Sequence, residues 1–136
     1  MSGYSGTPLW KKLGIKPGTI LCVRKMPRDY AAWIAPLPDG ACIVSRPRAC
    51  GCDIVHLFVD SRAVLERDLG RARTLIRSNG AIWVSWPKKS AKIATDVDEN
   101  LIRAAALKTD LVDVKVCAVS DSWSGLKLVV RVHLRR

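Results

Sequence analysis

A chain of 136 residues with 49% hydrophobic and 26% charged side chains amounts to one globular domain, too apolar to stay disordered and long enough to bury about two-thirds of the surface its unfolded form exposes. Lys and Arg number 23 against 12 Asp and Glu, a net charge of +11 that is shared between residues 1–49 (8 basic, 2 acidic) and the rest (15 basic, 10 acidic). No basic start leads into a long apolar run and no stretch of about 18 apolar residues occurs, so the expectation is a cytoplasmic protein, neither exported nor membrane-spanning.

Residues Met1 to Gly6 are small and polar. Thr7-Pro8-Leu9-Trp10-Lys11-Lys12-Leu13-Gly14 then offers an N-cap, a proline at the first helical position and a closing glycine, which predicts one short helix. After the Lys16-Pro17-Gly18 turn, Thr19-Ile20-Leu21-Cys22-Val23 reads as a strand covered on both faces. Asp29 to Ile34 suits a brief helix, and Ala41-Cys42-Ile43-Val44 a short second strand. Cys52 to Val59 is a third strand, and Asp60 or Ser61 caps a helix over about Arg62 to Ser78, stopped by Asn79-Gly80. Its apolar positions Val64, Leu65, Leu69, Ala72, Leu75 and Ile76 share a face, with Arg67, Arg71, Arg73 and Arg77 mainly off it. Ala81 to Trp86 is a fourth strand, ended by Pro87. A last helix runs from about Val97 to Lys108 behind Thr95 or Asp96. Val112, Val114 and Val116 alternate with polar neighbours, as do Leu126 to Leu134, and these two strands are close enough in sequence to pair antiparallel.

Strands alternating with helices predict an α/β domain over residues 1–136: a mostly parallel, doubly wound sheet with a terminal antiparallel strand and helices on both faces. From Asp53 to Val132 this order resembles the second half of the class I methyltransferase fold, a Rossmann-like architecture. A second resemblance spans nearly the whole chain. It rests on Gly3-Tyr4-Ser5-Gly6-Thr7-Pro8-Leu9, Lys11 to Gly18, Trp83-Val84-Ser85-Trp86-Pro87-Lys88-Lys89, Val112 to Val119 and Trp123-Ser124-Gly125-Leu126-Lys127. In these stretches the chain is similar to a bacterial family known as domain of unknown function 3052, which implies no particular activity.

In an open parallel sheet, ligands bind beyond the carboxyl ends of the strands, where strand order reverses. Here that edge collects Arg24 and Lys25, Arg46 and Arg48, Asp60 and Arg62, and Lys88 and Lys89. A methyltransferase needs glycines after the first strand and an acid ending the second. This sequence has Val23-Arg24-Lys25-Met26-Pro27-Arg28 and Ser45-Arg46-Pro47-Arg48 instead. Arginine in place of the ribose-binding acid suits a phosphate, whereas the plain structural reading makes these solvated loop cations. Trp86-Pro87-Lys88-Lys89 and Trp123 together suggest a shallow stacking pocket for a nucleotide or single-stranded nucleic acid, set against tryptophans that simply anchor loops. Asp60 serves either as a functional carboxylate or as a helix cap.

Cys22, Cys42 and Cys117 lie in apolar runs and read as small buried hydrophobes, and Cys50-Gly51-Cys52 lacks zinc spacing, so no metal site is expected. Nothing matches a hydrolase elbow or an NTPase loop, and no catalytic residue is assigned. The sequence requires no cofactor. The leading expectation is a non-catalytic, methyltransferase-like protein that binds an anionic ligand or a partner at its basic edge. The alternatives are a divergent S-adenosylmethionine-dependent methyltransferase and charge-driven, non-specific nucleic-acid binding without a recognition motif. Oligomeric state is not legible, although the terminal hairpin leaves an edge strand open to pairing.

Overall fold

The computed structural model describes residues 6–135; the small polar start at residues 1–5, where part of the Gly3 to Leu9 match falls, and Arg136 lie outside the described residues. Six strands form one sheet in the order β2-β1-β3-β4-β6-β5, with β1 at Ile20–Arg24, β2 at Cys42–Ile43, β3 at Cys52–Phe58, β4 at Ile76–Pro87, β5 at Leu111–Ala118 and β6 at Trp123–Val130. The pairs β1–β2, β1–β3 and β3–β4 are parallel, and β4–β6 and β5–β6 are antiparallel. The chain thus carries the mixed α/β sheet its alternating pattern implies, with antiparallel strands at its end.

Alternate side chains of each strand go to opposite faces, and each face has its own helices. On the first face, α3 (Arg62–Leu75) and α4 (Glu99–Leu107) cover Cys22, Val55, Leu57, Ile82, Val84, Trp86, Leu126 and Leu128. On the second, α1 (Leu9–Lys12) and α2 (Tyr30–Ile34) cover Leu21, Ile54, Phe58 and Trp83 with Leu13, Tyr30 and Ile34. Strand β3, with neighbours on both sides and helices on both faces, is buried from Ile54 to Phe58, which is why apolar residues occupy both of its faces there, with His56 as the one polar residue.

Helix ends depart from the sequence expectation for identifiable reasons. Helix α3 stops at Leu75, three residues before the expected Ser78, because Ile76 is already extended (φ −82°, ψ 150°) and pairs with Cys52 of β3. Gly80 therefore sits inside β4, not at a helix end: a Cβ there would lie 2.7 Å from the Asp53 carbonyl oxygen, an approach only glycine permits. Helix α4 begins at Glu99, capped by Asp98 accepting from the Leu101 N–H at 2.8 Å. Thr95 instead accepts from Val97 N, and Asp96 reaches across to accept from the first N–H of α3, at Arg62, at 2.9 Å. Helix α1 has Pro8 at its N-cap, so the proline stands just outside the first turn.

The last strand is shorter than its alternating pattern. Strand β6 ends at Val130, opposite Leu111 where β5 begins, and residues Val132–Leu134 form a single 3₁₀ turn because no strand remains for them to pair with. Strand β5 is the sheet edge. A bulge at Val114, between the Asp113–Leu128 and Lys115–Lys127 pairs, interrupts its ladder, a common way to make an edge a poor template for another strand. Cys42 is exposed at the short β2, so it is not the buried hydrophobe its apolar neighbours suggested, whereas Cys22 is buried and Cys117 half-buried.

Candidate functional site

The strand order runs outward from β1 to β2 and then jumps back past β1 to β3, so the reversal point lies between the carboxyl ends of β1 and β3. Arg24 closes β1 on the first face and is half-exposed; its guanidinium stands 4.0 Å from the carboxylate of Asp68 on α3. Asp68 is buried, its Oδ1 accepts from Arg67 Nε at 3.1 Å, and its enclosed Oδ2 has no partner among the described residues. Arg24 is thus partly spoken for by a carboxylate. Lys25 follows with φ 60°, the left-handed region that a side chain enters only at a cost of about 1–2 kcal/mol. Arg46 and Arg48 are exposed on the connection from β2 to β3.

Asp60 is exposed at the end of β3 and does not cap α3. Ser61 does, its hydroxyl accepting from Val64 N at 3.2 Å. Lys88 follows β4 and donates its backbone N–H to Ser122 O at 2.9 Å, while Lys89 is exposed and opens a 3₁₀ turn. Arg48 is not at that edge: its carbonyl accepts from the N–H of Gly51, directly before β3, and the neighbouring Cys50 N–H bonds Thr74 O near the end of α3, so the returning connection carries Arg48 to the amino end of β3. The remaining cations, Arg46, Arg24 with Lys25, and Lys88 with Lys89, follow β2, β1 and β4. With strands about 4.8 Å apart, that is a span of roughly 14 Å, too wide for one phosphate to touch them all.

The two tryptophans of the expected stacking pocket are not on the same side. Trp86 pairs with Ser124 and Pro87 with Trp123; Trp86 belongs to the first-face core and Trp123 packs on the second. The aromatic partners of Trp123 come from elsewhere: Phe58, at the end of β3, meets it edge-on with 5.0 Å between centroids, and Phe58 in turn contacts Trp33 of α2 at 6.5 Å. Trp33 and Trp123 line a groove of about 690 Å3 between α1, the start of α2 and the β5–β6 turn. Of the sequence-predicted site residues, Trp123 lines it. Trp33 was missed, and the signal for it was its place one helical turn after Tyr30 in a short apolar helix.

Below that aromatic layer lies a buried polar chain. The Tyr30 hydroxyl bonds His56 Nδ1 at 2.8 Å and His56 Nε2 bonds the Ser85 hydroxyl at 2.7 Å. The His56 ring stacks on Phe58 at 4.4 Å. Burial pushes the histidine down to about 3 and the Tyr30 phenol up, so both are neutral near pH 7. With both ring nitrogens engaged inside the protein, the chain serves as an internal brace joining α2, β3 and β4. Cys52 is likewise buried, and burial, followed by the neighbouring Cys22, raises its thiol to about 11, which leaves little thiolate for redox or metal chemistry.

A six-stranded sheet whose order reverses beside β1 and which ends in an antiparallel hairpin defines a methyltransferase-like Rossmann fold. Solved structures agree. The chain superposes on the B. subtilis M1A22 tRNA methyltransferase TrmK with a TM-score of 0.60, 11% identity, and 94% of this chain and 67% of that one covered. A SAM-dependent methyltransferase from Aquifex aeolicus gives 0.59 at 10% identity, covering 89% and 87%. The ribosomal protein L11 methylase from Lactobacillus delbrueckii subsp. bulgaricus gives 0.52 at 11%, covering 90% and 75%. At such identities the likeness is one of fold. No protein-family model matches the chain, and no curated protein matches it by sequence.

The cofactor of a SAM-dependent enzyme needs close backbone approach after β1 and a carboxylate at the end of β2 for its ribose. Here the turn after β1 is Lys25-Met26-Pro27-Arg28, all carrying side chains, and β2 runs out into Ser45 and Arg46. These residues do not fit S-adenosylmethionine in the usual manner.

Proposed function

We propose that this chain is a non-catalytic protein of methyltransferase-like fold that binds a phosphate-bearing ligand, or an anionic partner, at the cationic carboxyl edge of its sheet. The observation that carries this reading is the exposure of Lys25 and Arg46 beyond β1 and β2, beside the strand-order reversal, where a cofactor-binding relative would need bare backbone and a carboxylate. Guanidinium groups hold phosphate oxygens bidentately, and a basic edge roughly 14 Å long suits several phosphates better than one. On the resemblance of its sequence we group the chain with domain of unknown function 3052, and we take its site of action to be the bacterial cytoplasm.

The test is calorimetric titration with inorganic tripolyphosphate at fixed ionic strength, for the natural chain and for Lys25→Glu/Arg46→Glu. Saturable binding that falls by about tenfold or more in the variant supports the reading, since each charged hydrogen bond lost there is worth about 1.5–3 kcal/mol. Equal binding by both proteins removes it. DNA binding that collapses between about 50 and 200 mM salt would point to non-specific nucleic-acid binding instead.

A second reading is favoured by the superpositions themselves: the compared structures are methyltransferases, and a divergent enzyme of that class could hold S-adenosylmethionine through other contacts, completed by a second subunit. Saturable binding of S-adenosylmethionine in equilibrium dialysis would move this reading ahead of the first.

A further inference from the structure

We propose that the groove between α1, α2 and the β5–β6 turn binds a planar aromatic small molecule of low net charge. The groove adjoins the cationic edge, since Lys88 donates its backbone N–H to Ser122 of the lining, but Arg24, Lys25 and Arg46 are not among its lining residues. Its volume, about 690 Å3, falls within the range of small-molecule pockets.

Two indoles, Trp33 and Trp123, line the groove from different elements, and both rest on Phe58. Phe58 is itself held by the stacked His56 and by an edge contact from Tyr30 at 5.6 Å. The aromatic surfaces are therefore set before any ligand arrives, which lowers the ordering cost of binding. The polar atoms of the layer behind Phe58, on Tyr30, His56 and Ser85, already bond one another, so the aromatic contacts that hold the two indoles are not disturbed by an unpaired polar group. Such a surface favours a flat π system over an aliphatic one of equal size.

Charge on the rim narrows the ligand class. Lys12 and Arg28 are matched there by Asp29 and Asp121, so this part of the molecule is electrically balanced although the chain carries +11. A polyanion gains nothing from such a rim. The hydroxyls of Ser120 and Ser122, also in the lining, suit a single polar substituent that fixes orientation.

The experiment is a titration of the ¹⁵N-labelled protein with 2-naphthol and, in parallel, with its saturated analogue decahydro-2-naphthol, following the five tryptophan indole N–H signals assigned through single Trp→Phe variants. The expected result is saturable displacement of the Trp33 and Trp123 signals, with the Trp83 signal, whose N–H donates to Leu13 O at 3.0 Å, unmoved. The saturated analogue should bind about tenfold more weakly. Ala32→Phe adds a ring to the groove from an exposed position, and it should weaken 2-naphthol binding about tenfold while leaving the unfolding midpoint in place. Equal affinity for the two compounds, displacement spread over all five indoles, no saturation at millimolar ligand, or natural affinity in Ala32→Phe would each overturn the proposal.

Discussion

Trp123 meets Phe58 edge-on, with 5.0 Å between ring centroids and 88° between planes, while its backbone pairs with Pro87 at the end of β4. One residue thus ties the closing hairpin to the ends of β3 and β4. Trp123→Ala removes a half-buried ring from this junction and should cost about 2 kcal/mol, below the usual penalty for a fully buried aromatic. For a domain of this size that corresponds to about 7 °C in the thermal midpoint. Trp123→Phe, which keeps an edge for Phe58, should lose less than half as much. Circular dichroism melts of both variants check the ordering.

The brace formed by Tyr30, His56 and Ser85 predicts acid sensitivity. His56 is held neutral in the folded protein, with its titration pushed from the ordinary 6.5 down to about 3 by burial. Between those values the unfolded chain binds a proton that the folded one refuses, so stability is full above about pH 6.5 and falls as pH drops toward 3. The slope from this group approaches about 1.4 kcal/mol per pH unit. Urea unfolding from pH 7 to pH 4 should show it, and His56→Gln, a less stable protein at pH 7, should show a shallower slope. An identical slope in the variant would remove His56 as its source.

Gly80 lies where β4 crosses close to β3. Gly80→Ala would bring a Cβ to 2.7 Å from the Asp53 carbonyl and 3.1 Å from that of Arg77. Since both neighbours are backbone, relief requires the strand to move, and a loss of about 2–3 kcal/mol in denaturant unfolding is expected. Gly70→Ala, on an exposed helix position with nothing within 4 Å, should instead stabilise by a few tenths up to about 1 kcal/mol.

Arg73 of α3 holds Asp110, at the start of β5, with two hydrogen bonds of 2.7 and 2.6 Å. The Arg73 guanidinium keeps the Asp110 carboxyl below its ordinary range, so this contribution is present above the unfolded carboxylate value and is lost as pH falls below it. Both side chains are 31% exposed, which limits the pair to about 1 kcal/mol. Asp110→Asn should lower stability by about that amount at pH 7, and the difference from the natural chain should shrink in molar salt.

The sheet and its two helical faces were legible because the pattern is strong where burial is strong. The mostly apolar run of β3, interrupted by Asp53 and His56, and the stripe from Val64 to Leu75 admit few alternatives. Boundaries were less legible, because they depend on partners distant in sequence. Ile76 leaves the helix to pair with Cys52, Gly80 yields to Asp53, and Val132 has no strand to join. That Arg24, Lys25, Lys88 and Lys89 follow strand ends was readable as positions, but the return of Arg48 to the start of β3 and the Arg24–Asp68 contact were not, since neither a loop's path nor what a buried aspartate faces is written in local periodicity. The groove was the least legible feature. Trp33, Phe58 and Trp123 are 25 and 65 residues apart in succession, and only the second sheet face assembles them. The opposite-face placement of Trp86 follows from register, which a strand's sequence leaves open until its neighbour is known.

Thermal unfolding at constant ionic strength, with tripolyphosphate and with S-adenosylhomocysteine in separate titrations, separates a phosphate-binding edge from a cofactor site. A ligand at about 100 times its dissociation constant adds roughly 2.7 kcal/mol, a rise of about 10 °C for a domain of this size. A rise with tripolyphosphate that Lys25→Glu/Arg46→Glu abolishes, with no response to S-adenosylhomocysteine, is the expected result. A rise with S-adenosylhomocysteine and none with tripolyphosphate would contradict it, and would return the chain to the catalytic methyltransferases whose fold it shares.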